Sequence, residues 1–237
     1  MSILGVAAMI AGGIASIAGF GIGSVLTPVL SMWIDARLAV AAISIPHLIG
    51  TALRFWLLKG SVDRRVLWSF GIASAAGGLS GAVLNTMFTS SALLTLLAVL
   101  LLFVAVGELT GFTQRLVFRG PAAWIAGALS GALGGLVGNQ GGLRSAALLG
   151  FRMVRDTFVA TATAIGLLVD VARMPVYFAV YAGELRNLLA PIAAATAGVV
   201  AGTLLGGRVL RRIPDAYFRR VVALFLAVLG IWLLTRG

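Results

Sequence analysis

Eight apolar runs follow one another along the chain, at residues 2–34, 38–58, 66–84, 92–111, 121–150, 157–180, 187–207 and 217–235, with only brief polar interruptions. Crossing the hydrocarbon core of a bilayer takes about 20 apolar residues. This succession therefore makes lipid the solvent and leaves no stretch for a soluble domain. The bulk figures agree, since hydrophobic residues are 60% of the 237, charged residues 11%, and mean hydropathy is +1.08. A helix satisfies its backbone polar groups within one segment, as a bilayer demands, so the expected fold class is all-α integral membrane. The first run has no Lys or Arg before it and no small-residue cleavage site leading into a polar chain, and it reads as a retained membrane segment.

A net charge of +11 in a soluble protein would suggest nucleic acid. Here the arginines stand singly or in pairs at segment ends, where they act as orientation signals, so no nucleic-acid partner is expected. The 31 glycines suit closely packed membrane helices. With no cysteine in the chain, disulfides, thiolate metal sites and cysteine nucleophiles are excluded. No metal or cofactor is expected.

Runs 2–34 and 121–150 are too long for one straight crossing, and glycines cut both, at Gly19-Phe20-Gly21-Ile22-Gly23 and at Gly138-Asn139-Gln140-Gly141-Gly142. Each reads as a broken helix or re-entrant hairpin whose non-helical backbone lines a cavity or is buried in protein. Charge placement separates hairpins from simple crossings. If all eight runs cross once, basic residues divide eight to seven between the two sides, with no bias. If the two broken runs return to the side they entered, Lys59, Arg64, Arg65, Arg115, Arg119, Arg152, Arg155, Arg208, Arg211, Arg212, Arg219 and Arg220 share one side. Arg37, Arg186 and Arg236 share the other, and Arg54, Arg144 and Arg173 fall inside runs. The positive-inside rule selects the hairpins and puts both termini outside, periplasmic for the expected setting of a bacterial cytoplasmic (inner) membrane crossed several times.

Three crossings in each half make two similar halves lie upside down to each other, as in many secondary transporters. One constant offset pairs Gly12 with Gly131, Gly19 with Gly138, Gly23 with Gly142, Leu30 with Leu149 and Arg54 with Arg173. A slightly larger one pairs Gly77 and Gly81 with Gly202 and Gly206. The expected organisation is two inverted repeats in a single transmembrane domain, residues 1–111 and 120–237, each a glycine-broken segment followed by three transmembrane helices.

The segment Gly19-Phe20-Gly21-Ile22-Gly23-Ser24-Val25-Leu26-Thr27-Pro28 is a glycine-rich break followed by proline. With the turn Gly60-Ser61-Val62-Asp63, the second break from Gly138 to Gly142, and Gly206-Gly207-Arg208 before the last run, it resembles the sulfite/organosulfonate exporter family (TauE/SafE-like, TSUP) over nearly the whole chain. The resemblance implies movement of small sulfur-containing anions such as sulfite, thiosulfate or organosulfonates. Two departures are the amides Asn139-Gln140 in the second break and Phe20 within the first glycine cluster.

The residues point the same way. Arg54 and Arg173 occupy equivalent places late in the first full crossing of each half, where two guanidinium forks can clamp one oxyanion bidentately. The competing reading has them snorkel to an interface, or pairs Arg173 with Asp170 three residues earlier. Helices restarting after the breaks aim backbone N–H groups and a partial positive charge inward. That makes Gly21, Gly23, Ser24, Asn139, Gln140, Gly141, Gly142 and Arg144 candidate anion contacts, against a reading in which the glycines only permit close packing. His47 and Asp170 are proton-coupling candidates, or else a hydrogen-bonded core histidine and an aspartate neutralised by Arg173.

The expected function is a secondary transporter exporting a small sulfur-containing anion. A passive anion channel and a proton-coupled importer are the alternatives. An intramembrane serine protease is remote, because nothing selects among Ser24, Ser44 and Ser145 as partner to the lone His47. Without a Gly-xxxx-Gly-Lys-[Ser/Thr] loop, ATP-driven transport within this chain is excluded. The anticipated partners are the anion and the lipid bilayer, and a homodimer is left open. The topology is testable with introduced thiols, which report cleanly in a cysteine-free chain. In intact cells Ser61→Cys should resist an impermeant maleimide and Glu184→Cys should react. Labelling of both, or the reverse pattern, refutes the hairpin arrangement.

Overall fold

The computed structural model describes residues 2–18, 21–115, 118, 120–139, 141–209 and 215–235. Among these the chain is helical throughout and has no strand. In order the helices are α1 (Ser2–Ala18), α2 (Ile22–Leu30), α3 (Ala36–Leu58), α4 (Arg64–Met87), α5 (Ser90–Thr110), the short α6 (Phe112–Arg115), α7 (Pro121–Val137), α8 (Gly141–Leu149), α9 (Arg155–Asn187), α10 (Leu189–Val209) and α11 (Asp215–Leu234).

Both over-long runs are broken as expected, the first into α1 and α2 and the second into α7 and α8. A glycine with positive φ stands at each interruption, Gly21 at 132° and Gly138 at 73°, backbone settings that side-chain-bearing residues rarely adopt. Five segments are long and apolar enough to cross a membrane: Ala36–Ser61, Arg64–Met87, Ser90–Thr110, Asp156–Asn187 and Leu189–Gly206. Shorter apolar helices cover Ile3–Ile17, Pro121–Val137 and Arg220–Leu234. One boundary differs from the hydropathy reading. The chain does not leave the helix near residue 180 but continues to Asn187 through a single non-helical residue, Tyr181. Glu184 and Arg186 are exposed there, so the helix extends beyond its apolar stretch without burying charge.

Local chemistry sets the remaining ends. Asp35 accepts from the Arg37 amide, Asp63 from Val66 and Thr89 from Ala92, which caps α3, α4 and α5. Each such cap is worth about 1 kcal/mol. Gly111 closes α5 in the left-handed conformation, and Pro121 opens α7, where its missing N–H costs no hydrogen bond.

Helix pairing is governed by small residues. α1 packs along α10 and α4 along α7, while α3 lies against α9 and α5 against α11. A Cβ on Gly77 or Gly81 would strike the carbonyl oxygen of Ala128 or Ala132 in α7. In the other pair, a Cβ on Gly202 would strike the Met9 carbonyl oxygen, and one on Gly206 the backbone of Gly13. Gly131 and Gly12 press in the same way on the carbonyls of Ser74 and Val199. Lipid tails are as apolar as leucine, so this close fit, rather than expulsion of water, holds the helices together. The expected outcome is that Gly81→Val and Gly202→Val each lower stability in detergent by roughly 1–3 kcal/mol from overpacking. Gly5→Val, whose Cβ would meet nothing within 4 Å, should leave it unchanged. Equal melting points for all three variants would remove these contacts from the account.

Candidate functional site

The polar residues of α3 and α9 recur at helical spacing: Ser44, His47, Thr51 and Arg54 on one, Asp170, Arg173 and Tyr177 on the other. Steps of three and four residues place each set on a single face, and all seven are buried. Five of them, Arg54, Thr51, His47, Asp170 and Arg173, form one connected chain. Arg54 donates through Nη1 to the Ala15 carbonyl (2.5 Å) and through Nη2 to Thr51 Oγ1 (3.3 Å). Thr51 Oγ1 lies 3.3 Å from His47 Nδ1, which donates to Asp170 Oδ2 at 2.7 Å. Carboxylates only accept, so this contact fixes the proton on Nδ1. Asp170 Oδ1 forms an ion pair with Arg173 Nη2 at 2.8 Å, and Arg173 Nη1 donates to the Gly134 carbonyl at 2.5 Å.

Ala15 and Gly134 lie in the last turns of α1 and α7, the two helices that stop inside the protein. The two arginines thus make matching bonds, each to a carbonyl thirty-nine positions earlier in the chain. A helix C-terminus carries a partial negative charge and carbonyls without intrahelical partners, and a guanidinium answers both. At α7 two more side chains join in. Tyr177 donates to the Gly135 carbonyl, and Asn85 Nδ2 to the Leu136 carbonyl at 2.8 Å. Tyr181 in turn donates to Asn85 Oδ1 at 3.3 Å. Three consecutive carbonyls of α7 are therefore held by α9 and α4.

The two breaks meet. A Cβ on Gly23 would strike the Gly138 carbonyl oxygen, and Ser24 Oγ donates to Asn139 Oδ1 at 3.0 Å. Asn139 is buried, and its Nδ2 and the Thr27 Oγ1 beside Gly138 have no hydrogen-bond partner among the described residues. The helix α2 starts at Gly21 with no side-chain cap. Gly142 packs on the Val104 side chain, so Gly23 and Gly142 both serve close contacts. Gly141 is buried at the start of α8, and Gln140 lies outside the described residues. Arg144, one turn into α8, is 3% exposed, and its guanidinium occupies the space that a side chain at Gly166 would need, with Nη1 2.9 Å from the Cβ position.

Charge is the notable property. Among the described residues three guanidiniums, Arg54, Arg144 and Arg173, are buried with a single carboxylate, Asp170. The charge of Arg144 acts on Arg54, and those of Asp170 and Arg173 act on Arg144. With His47 neutral, the described part of the cluster holds three guanidiniums and one carboxylate. Burying an ion costs several kcal/mol unless partners offset it.

The sequence reading singled out Arg54, Arg173, Asp170, His47, Asn139 and Arg144, and five of these six lie in this one charged cluster, with Asn139 at the contact between the breaks. It did not include Thr51, Asn85, Tyr177 or Thr27. Thr51 and Tyr177 were legible as members of the polar helix faces. Asn85 carried no local signal, because its partner belongs to a helix fifty-one residues away.

Long apolar helices around two broken ones, with a buried cationic centre between them, define a multi-pass membrane protein of transporter type. The chain belongs to the sulfite exporter TauE/SafE family, whose family model matches residues 4–233. No curated protein and no solved structure matches it.

Arg173→Gln should lower stability by roughly 3–5 kcal/mol, because it leaves the buried Asp170 without its ion-pair partner and removes the guanidinium from the Gly134 carbonyl. Adding Asp170→Asn should restore part of the loss. Thermal unfolding of the purified variants measures both, and a single variant as stable as the parent would show that the ion pair is not structural.

Proposed function

We propose that this chain is a secondary transporter that exports a small sulfur-containing anion, such as sulfite, thiosulfate or an organosulfonate, across a bacterial cytoplasmic membrane. The observation that carries the proposal is the buried excess of guanidinium charge beside the two helix breaks. A dry positive centre attracts an anion strongly, and a charged side chain kept at bilayer depth costs at least roughly 2.5–3.5 kcal/mol on insertion scales.

In this reading the anion lies where the breaks meet. Arg144 supplies charge, the Asn139 amide and the amides opening α2 and α8 supply donors, and Ser24 holds the Asn139 side chain in place through its 3.0 Å hydrogen bond. Arg54 and Arg173 already spend donors on the carbonyls of Ala15 and Gly134. Their role is to fix the half-helices around the anion and to add to the positive field.

Residues 1–111 and 120–237 are the two inverted repeats, with both termini periplasmic. This assignment is supported by the matching arginine–carbonyl bonds and by the matching pairs α1 with α10 and α7 with α4. Rocking one repeat against the other would expose the anion to each side in turn. The membrane potential favours export, since an interior-negative potential drives each negative charge outward by about 2.3 kcal/mol per 100 mV. For a dianion that doubles to roughly 4.6 kcal/mol, about three decades of gradient.

Purified protein should bind thiosulfate or sulfite saturably, and proteoliposomes should show counterflow, which a passive channel lacks. Arg144→Gln should weaken binding roughly ten- to hundredfold, matching the loss of a charged hydrogen bond of about 1.5–3 kcal/mol. Arg144→Lys should recover only part, because it keeps the charge and loses the fork. Unchanged affinity in Arg144→Gln moves the anion away from α8, and an absence of binding to any sulfur anion removes the proposal.

A further inference from the structure

The chain from Arg54 to Arg173 contains a group that anion binding alone does not require. His47 is the only histidine of the protein, and it sits on α3 at the point where α3 and α9 exchange their closest polar contact. A helix packing or an anion site could be built with a hydroxyl or amide at this place. An imidazole adds the capacity to hold a proton reversibly.

We propose that His47 carries a proton with the anion, so that transport moves the two together. The inference rests on the anion reading above. Both hydrogen bonds of the ring are made at Nδ1, to Asp170 Oδ2 at 2.7 Å and with Thr51 Oγ1 at 3.3 Å. The carboxylate holds the proton on Nδ1 and orients the ring, which leaves Nε2 as the basic nitrogen. A carboxylate behind an imidazole also stabilises the imidazolium that forms when Nε2 is protonated.

The groups facing His47 determine the sign of the coupling. From its own helix comes Arg54, from α9 Asp170 and Arg173, and from α8 Arg144, which acts through Asp170 and Arg54. The neighbouring α2, α7 and the Leu189–Gly206 stretch of α10 carry no ionisable side chain, and α5 has only Glu108 in its last turn. Asp170 favours a proton on the ring, while Arg54 and Arg173 oppose one. An anion entering this cluster offsets the guanidinium charge and so favours a proton on Nε2. A proton on Nε2 in turn adds a favourable charge for the anion. By linkage each ligand raises the affinity for the other by the same factor.

The bookkeeping is one proton from water onto Nε2 on one side of the membrane and off to water on the other, with no bond changed in the substrate. A dianion then crosses with one net negative charge, and the membrane potential still drives it outward.

Because the chain has a single histidine, the wild-type protein is itself the probe. Protein labelled with nitrogen-15 histidine should show one imidazole, and titrating thiosulfate at constant neutral pH should move its Nε2 resonance from the neutral toward the imidazolium position. Thiosulfate is chosen because it takes up no proton of its own near neutrality. In proteoliposomes with an entrapped pH dye, thiosulfate movement by the wild type should carry protons in the same direction. His47→Asn, which keeps a donor for Asp170 at the place of Nδ1–H, should move thiosulfate with at least tenfold less proton flux. A resonance unchanged at saturating thiosulfate overturns the proposal, even if the variant fails to fold. So does a proton flux that survives in His47→Asn, or thiosulfate transport by the wild type without protons. Failure of the wild type to bind or move thiosulfate, sulfite and sulfoacetate alike would instead overturn the anion reading.

Discussion

A helix that ends inside a bilayer leaves carbonyl oxygens with no water to accept from, at a cost of several kcal/mol for each one left unsatisfied. Two helices of this protein, α1 and α7, end among other helices of the protein, at Ala18 and Val137. Tyr177 and Asn85 deliver donors to the last-turn carbonyls of Gly135 and Leu136, Arg54 reaches the Ala15 carbonyl, and Arg173 adds a second donor to the Gly134 carbonyl, which already accepts from the Gly138 amide. The charges brought in for this purpose create the next requirement. Asp170 offsets one guanidinium, His47 orients Asp170, and the remaining positive field makes the centre suited to an anion.

The breaks also differ. Three side chains hold the end of α7, whereas Arg54 is the donor reaching the last turn of α1 among the described residues. Thr51 stands three residues before Arg54, and Asp170 three before Arg173, so the relay between the two arginines is neutral at one end and charged at the other. In the proposed function, an anion at the contact of the two breaks meets an uneven field, with the carboxylate on the α9 side.

Much of this was readable from the chain because it depends on composition and period. Apolar runs give the succession of membrane helices, glycine clusters give the breaks, and Asp63 before Arg64 gives a helix start, its side chain accepting from the Val66 amide. Arg54, Arg173, His47, Asp170 and Arg144 stood out because ionisable residues in apolar runs are rare. What could not be read was the direction of their hydrogen bonds. The expectation of a two-arginine clamp treated both guanidiniums as open to substrate, while each has Nη1 on a helix-end carbonyl. Backbone carbonyls leave no mark in a sequence, since every residue has one and only helix geometry decides which are left unpaired. Gly166 and Asn85 were silent for the same reason, because their meaning depends on the guanidinium and the carbonyl that other helices bring to them.

The sequence by itself determined that the protein is a bundle of membrane helices, where two of the apolar runs break, and which ionisable residues fall inside apolar runs, because each follows from local hydropathy and backbone preference. Only the tertiary structure decided that the two breaks touch through Gly23 and Gly138, and that His47 meets Asp170 across one hundred and twenty-three residues of chain. It also decided that Arg144 is seated over Gly166. Those contacts depend on which small-residue faces come close enough to pack, a property of pairs of helices that no single segment encodes.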